Sequence, residues 1–295
     1  MPRETARQRL KRQIASPGLV IAPGVYDGLT ARLVANAGFD VAYMTGAGTS
    51  IRKGYPDYGL MTATEMAENA ADIVGAGDLA VIADADTGFG NELNVTRAVR
   101  EYERAGVAAM HIEDQGFPKR CGHLDDKEII PLEDYCAKIR AAAAARTDPD
   151  LQIIARTDAR APHGFDEAIR RANAALEAGA DIAFVEAPQT HDEARAVPKL
   201  VRGPCLFNLV YGGKTPAVEL DEVERMGFAL AILPDVLLRS VFMTCEAILA
   251  PLKANRTLPD QSSGIKVREM FERMGSKEWD ALRTKYQRPS AEAAE

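Results

Sequence analysis

The chain has 295 residues, 46% of them apolar and 27% charged, with a formal net charge of -7. That length can bury a full core, and those proportions are ordinary for a soluble globular protein. The acidic balance argues against nucleic acid or an anionic membrane as the main partner, and apolar runs such as 229–233 are far too short for a membrane helix.

Residues 1–16 carry five Arg or Lys and no continuous apolar stretch, which argues against a secretory signal. Leu10 and Ile14, four apart, predict an amphipathic N-terminal helix there. Beyond it, short apolar runs rich in β-branched residues predict strands near 19–22, 41–44, 80–83, 108–112, 153–155, 182–185, 205–207 and 229–233. Helical patterns fill the gaps at 29–37, 63–76, 95–105, 132–145, 166–178 and 218–226. Gly38, Gly77, Gly106, Gly179 and Gly227 stand where helix C-termini favour glycine. A long helical run follows Pro234 to Lys253, then a Pro- and Ser-containing break at 258–264, a last helical segment over 265–286 and a disordered tail. Eight strand–helix units predict an α/β fold, a single (β/α)8 TIM barrel domain over 1–295, with additional C-terminal helices in 258–295. A doubly wound open sheet is the alternative.

Each predicted strand from the second to the seventh ends in polar residues. Thr45 and Gly46 are followed by Asp84 and Asp86, Glu113 and Asp114, Arg156 and Asp158, Glu186, and Asn208. Barrel enzymes build their sites from such strand ends. If Asp84 and Asp86 both stay extended, their carboxylates leave on one face and repel unless a cation sits between them. The following Thr87-Gly88-Phe89-Gly90 offers no Lys or His, so Mg²⁺ (or Mn²⁺) is expected, with Glu113 completing the shell directly or through water. Helix capping by either aspartate is the plainer alternative.

Lys119-Arg120-Cys121-Gly122-His123 is the second cluster. A thiol beside Lys, Arg and His has its anion stabilised, so Cys121 can act as nucleophile or proton donor. Arg156 is a carboxylate clamp or an ion-pair partner of Asp158 or Glu186. His163 and His191 read as exposed loop residues, and Cys136, Cys205 and Cys245 as core filler. Four cysteines without a Cys-x-x-Cys pair argue against a disulfide framework or structural zinc, and point to a reducing cytoplasm.

The Lys119–His123 motif, preceded by His111-Ile112-Glu113-Asp114-Gln115 and Asp84-Ala85-Asp86-Thr87-Gly88, resembles the isocitrate lyase/phosphoenolpyruvate mutase superfamily, over about 19–270. The resemblance implies a Mg²⁺-dependent carbon–carbon lyase that cleaves a 2-hydroxy di- or tricarboxylate, dimethylmalate- or methylisocitrate-like, to an α-keto acid and a carboxylate. It implies Asp84, Asp86 and Glu113 around the metal and Asp57 in support. Thr45, Gly46 and Ala47 would hold a substrate carboxylate through backbone amides, with Gly122, Arg156, Glu186 and Asn208 orienting the rest. Tyr43 would receive the hydroxyl proton, and Cys121 would protonate the departing carbanion, with Lys119 and His123 beside it. Arg239 and Arg268 stand where methylisocitrate-cleaving members place substrate-contacting arginines, and Val210 replaces their Thr. Pro234 stands where oxaloacetate-hydrolysing members carry Ser. A homotetramer with exchanged C-terminal helices is also implied. Phosphonate mutase, oxaloacetate hydrolase and a non-catalytic small-acid-binding barrel are the competing expectations.

Overall fold

In the computed structural model, which describes residues 4–119, 127–258 and 264–287, strands β1 (Val20–Val25), β2 (Val41–Met44), β3 (Ala80–Asp84), β4 (Ala109–Glu113), β5 (Gln152–Thr157), β6 (Ile182–Val185), β7 (Cys205–Asn208) and β8 (Leu230–Leu233) pair in sequence order. All pairs are parallel, and β8 returns to β1 to close the barrel, so the open sheet is excluded. The (β/α)8 expectation holds. Closure leaves no strand edge unpaired.

The connecting helices are α2 (Gly28–Asn36), α3 (Gly46–Arg52), α4 (Ala63–Gly75), α5 (Glu92–Ala105), α6 (Leu132–Ala145), α7 (Arg160–His163), α8 (Phe165–Glu177), α9 (His191–Leu200) and α10 (Leu220–Met226). Sequence periodicity missed α3, α7 and α9. Two glycines sit in α3 and Pro198 lies inside α9, so local propensity hid both until packing imposed them. His163 therefore closes a helix and His191 opens one, though both are exposed. Gly38, Gly106, Gly179 and Gly227 take the left-handed conformation expected of helix stops. Gly77 does not.

Strand alternation sorts the core into layers. Val41, Tyr43, Ala80, Ile82, Ala109, Ile154, Ile182, Phe184, Leu206, Leu230 and Ile232 pack together in the lumen. Their alternates, among them Met44, Val81, Met110, Ile153 and Phe207, face the helices. Helix α1 (Ala6–Ala15) places Leu10 and Ile14 in the lumen cluster, so it stoppers the N-terminal mouth. Full burial of a side chain such as Leu10 is worth about 1.5–3 kcal/mol. Arg7 fastens the stopper, donating to the carbonyls of Val107 and Glu103 and to Asp148.

The described chain forms two compact units, divided after Phe242 within α11 (Val236–Asn255). The second holds the rest of α11 with α12 (Val267–Arg273) and α13 (Ser276–Tyr286). The single helix expected over 265–286 is thus two, broken at Gly275 with φ 86°. Phe271 and Trp279 are exposed there.

Candidate active site

The lumen alternation, carried one step past its apolar layer, delivers polar side chains to the C-terminal mouth. Ile82 is followed by Asp84, His111 by Glu113, Ile154 by Arg156, Phe184 by Glu186 and Leu206 by Asn208, two residues apart in each strand. A cavity of about 190 Å³ opens between them, lined by Tyr43, Thr45, Ala47, Asp57, Asp84, Lys119, Arg156, Glu186 and Asn208. Val210, Pro234, Asp235 and Leu238 form its other wall.

Asp84 is held by hydrogen bonds to its side chain and its carbonyl. Its Oδ1 accepts from the Asp86 amide at 2.9 Å, its Oδ2 from the Gly46 amide at 3.2 Å, and Tyr102 donates to its carbonyl at 2.9 Å. A Cβ on Gly46 would collide with that same Oδ2, so position 46 must be glycine for the contact to exist. Burial alone would raise the Asp84 carboxyl, but His111, charged only at acid pH, together with Lys119 and Arg156 outweighs it and holds the group at about 2.

Asp86 departs from the extended geometry expected of it. Its φ is 47°, and Gly88, Phe89 and Gly90 also have positive φ, so the chain turns sharply after Asp84. A side-chain cation reaches Asp86 from a distant loop. Lys119 Nζ lies 2.6 Å from Asp57 and 3.0 Å from Asp86. Burial pushes the Asp86 carboxyl up to about 6, aided by Asp84 and Asp57 and opposed by Lys119. Burial also works against the Lys119 charge, but the facing aspartates hold its pKa well above the ordinary value.

Below this pair, Tyr43 Oη lies 2.8 Å from His111 Nε2 and 3.4 Å from Asp84. Burial lowers His111 to about 4, so it is neutral near pH 7, while burial and the Asp84 carboxylate raise the Tyr43 phenol well above 10. Across the mouth, Asp158 grips Arg156 through Nε at 2.9 Å and Nη2 at 3.1 Å, while Glu113 and Glu186 stand 3.2 and 3.5 Å from the guanidinium. Both readings of Arg156, clamp and ion-pair partner, are compatible with this arrangement. Glu186 in turn accepts from the Asn208 amide at 3.1 Å.

Tyr43, Thr45, Ala47, Asp57, Asp84, Lys119, Arg156, Glu186 and Asn208 therefore meet in one cavity. Two of the three amides expected to hold a carboxylate are already committed. The Thr45 amide donates to Val25 O and the Gly46 amide to Asp84, while Ala47 sits in the first turn of α3. Arg239 stacks 4.2 Å over the Tyr211 ring and donates to its carbonyl. Arg268 pairs with Glu272 on α12, in the second unit. Cys121, Gly122 and His123 lie outside the described residues. Cys136 and Cys205 are buried as expected, but Cys245 is exposed, because the apolar α11 leaves its face uncovered in the single chain. Sequence reasoning gave no role to His111 or Lys127. The i, i+2 step from His111 to Glu113 was the available signal for the first, and Lys127 had none.

The donor set suits a hard cation. Asp84, Asp86 and Glu113 are buried carboxyl side chains, and Glu113 Oε1 has no hydrogen-bond partner among the described residues. Burial, with the added repulsion of Asp158 and Asp84, raises the Glu113 carboxyl well above its usual range, a cost that a nearby cation removes. Among the described residues no three such side chains converge on one point. Mg²⁺ does not require it, since it takes one or two carboxylates and completes its shell with water and substrate.

The sequence profile of the phosphoenolpyruvate phosphomutase family matches residues 10–252. The 2,3-dimethylmalate lyase of Eubacterium barkeri is 45% identical over 242 residues, covering 82% of this chain and 83% of that protein. The chain belongs to the phosphoenolpyruvate mutase/isocitrate lyase superfamily. Within the superfamily, the 2-methylisocitrate lyase of Bacillus subtilis (strain 168) is 39% identical over 275 residues, covering 93% of this chain and 91% of that one. A crystal structure of 2,3-dimethylmalate lyase superimposes with a TM-score of 0.91 at 39% identity, covering 96% of each chain. A phosphonopyruvate hydrolase complexed with oxalate and Mg²⁺ superimposes with 0.86 at 30% identity, covering 96% of this chain and 99% of that one.

Proposed function

We propose that this chain is a Mg²⁺-dependent carbon–carbon lyase that cleaves a 2-hydroxy di- or tricarboxylate, dimethylmalate- or methylisocitrate-like, into an α-keto acid such as pyruvate and a carboxylate. The observation that carries the reading is one cavity lined by the acid Asp84 with Tyr43 and by the Arg156 fork with Asn208, with Asp86 tied to Asp84 through its amide. The lyase names of relatives 39–45% identical over most of the chain support it.

Asp84 and Asp86 would hold the metal, with Glu113 behind them through water. When bound, Mg²⁺ supplies positive charge that acidifies the substrate hydroxyl and stabilises the carbonyl oxygen it becomes. Arg156 meets a substrate carboxylate, and Asn208 is fixed against Glu186 beside it. Tyr43 keeps its own proton at rest, so it accepts the hydroxyl proton only as it passes its own toward His111 or Asp84. Loss of that proton breaks the C2–C3 bond. The charge left on C3 rests beside a carboxylate, and Cys121 is assigned its protonation on the strength of its Lys- and His-flanked motif. Asp57 holds Lys119 in place. A cytoplasmic homotetramer with exchanged C-terminal helices is proposed with it. The exposed Phe271 and Trp279 support covered helices in the assembly, and no helix among the described residues is long and apolar enough to cross a membrane.

The test is incubation with Mg²⁺ and dimethylmalate, methylisocitrate, isocitrate, citramalate, oxaloacetate or phosphoenolpyruvate, with products identified by mass. One hydroxy acid is expected to yield a keto acid, and Cys121→Ser to collapse that turnover while leaving folding intact. Absence of cleavage across the panel would favour a binding barrel, and retained turnover in Cys121→Ser would remove the thiol from the mechanism.

A further inference from the structure

Arg156 is one guanidinium facing three buried carboxylates, Asp158, Glu113 and Glu186. Its Nε and Nη2 edge is taken by Asp158, and its Nη1 amino group has no partner among the described residues. A second cation enters from the segment before α6. Lys127 Nζ donates to Asp158 Oδ1 at 2.9 Å, with both side chains shut off from water.

We propose that Lys127 is a positioning residue for Arg156. By sharing Asp158 it balances that carboxylate, keeps it on the Nε and Nη2 edge, and leaves the opposite edge of the fork charged and turned to the substrate carboxylate. The inference rests on the reading above, in which Arg156 meets that carboxylate. The neighbouring groups hold the cluster without bringing further positive charge into contact with Asp158. Asp114 accepts from the Asp158 amide at 2.8 Å and from the Thr157 hydroxyl at 2.7 Å, and is itself held by Arg171 of α8 at 3.2 Å. Tyr135 donates to the Arg156 carbonyl at 2.7 Å, and the Phe184 ring lies 5.1 Å from the guanidinium carbon. These fix where Arg156 and Asp158 sit. Among the described residues only Lys127 adds a further positive charge directly on Asp158, and removing one member of a buried charge cluster leaves the rest uncompensated.

The test uses full-length Lys127→Met, Lys127→Arg and the double variant Lys127→Met/Asp158→Asn. The first readout is the Nε–H proton–nitrogen NMR signal of Arg156, assigned by its loss in Arg156→Lys. It is expected to shift or broaden in Lys127→Met and to return toward its native position in Lys127→Arg. The second is steady-state kinetics on the acid that the wild type cleaves. Lys127→Met is expected to raise KM roughly tenfold to a hundredfold while kcat changes much less, and Lys127→Arg to recover most of that loss. The double variant removes the uncompensated acid, so it is expected to keep its fold even where Lys127→Met does not, with KM still raised. An unmoved Arg156 signal in the folded variants, or a KM restored in the double variant, overturns the proposal. If the wild type cleaves nothing, the lyase reading fails, and the Arg156 signal alone decides this one.

Discussion

The two mouths of the barrel use the same eight strands to opposite ends. At the N-terminal mouth, α1 drives Leu10 and Ile14 into the lumen, and its charges stay at the rim on Asp148 and Asp150. At the C-terminal mouth, Asp84, Asp86, Glu113, Arg156, Asp158 and Glu186 are all buried. Burying charge is costly even when it is paired, so no folding requirement accounts for that end. One mouth therefore carries stability and the other chemistry, and the apolar layer of Ile82, Ile154, Phe184 and Leu206 insulates them.

The sharpest way to break this contrast is at the chemical end. Asp84→Asn should lower kcat/KM on the order of a thousandfold, since it weakens the proposed metal site and the charge that would face the substrate. The melting temperature should fall only modestly, because Asn keeps an acceptor for one amide but loses the charge that the surrounding cations hold at about 2. A large fall in melting temperature would mean that the ring also bears the fold. At the other end, Leu10→Ala should cost about 3 kcal/mol in urea unfolding and leave kcat of the folded enzyme unchanged. Arg7→Met, which removes donors to two carbonyls and Asp148, should cost about 1–3 kcal/mol by the same measurement.

The smallest effect lies outside both mouths. The Thr62–Glu65 capping box opens α4, and Thr62→Ala should cost about 1 kcal/mol. The Thr62 amide, then Lys53 and the Thr62 hydroxyl, hold the Glu65 carboxyl at about 2. Its folded pKa lies below its unfolded one, so its contribution is complete above about pH 4.5 and fades as pH falls toward 2. The variant should flatten that acid limb of the stability curve.

The barrel could be read from the sequence because its signals are local. Each strand is a short apolar run, and each lumen residue announces the polar one two places later, as Phe184 does Glu186. Asp57, Asp84, Glu113, Arg156 and Asn208 were found in that way or through motif resemblance. What escaped was set by distant or non-repeating geometry. The positive φ of Asp86 broke the alternation on which a same-face aspartate pair depended. Lys119 reaches Asp57 and Asp86 across the fold, so no window of sequence around the aspartates contains the charge that answers them. Lys127 and Asp158 meet the same way, across two strand ends.

The missing Cβ at Gly46 has a consequence for how this mouth can be altered. Asp84 occupies the space that any larger residue at 46 would claim, and it takes the amide that such a residue would displace. Substitution at one position therefore evicts the occupant of the other. In an engineered or diverging sequence the two sites are expected to change together, and a library that varies either alone would return mostly inactive barrels that still fold.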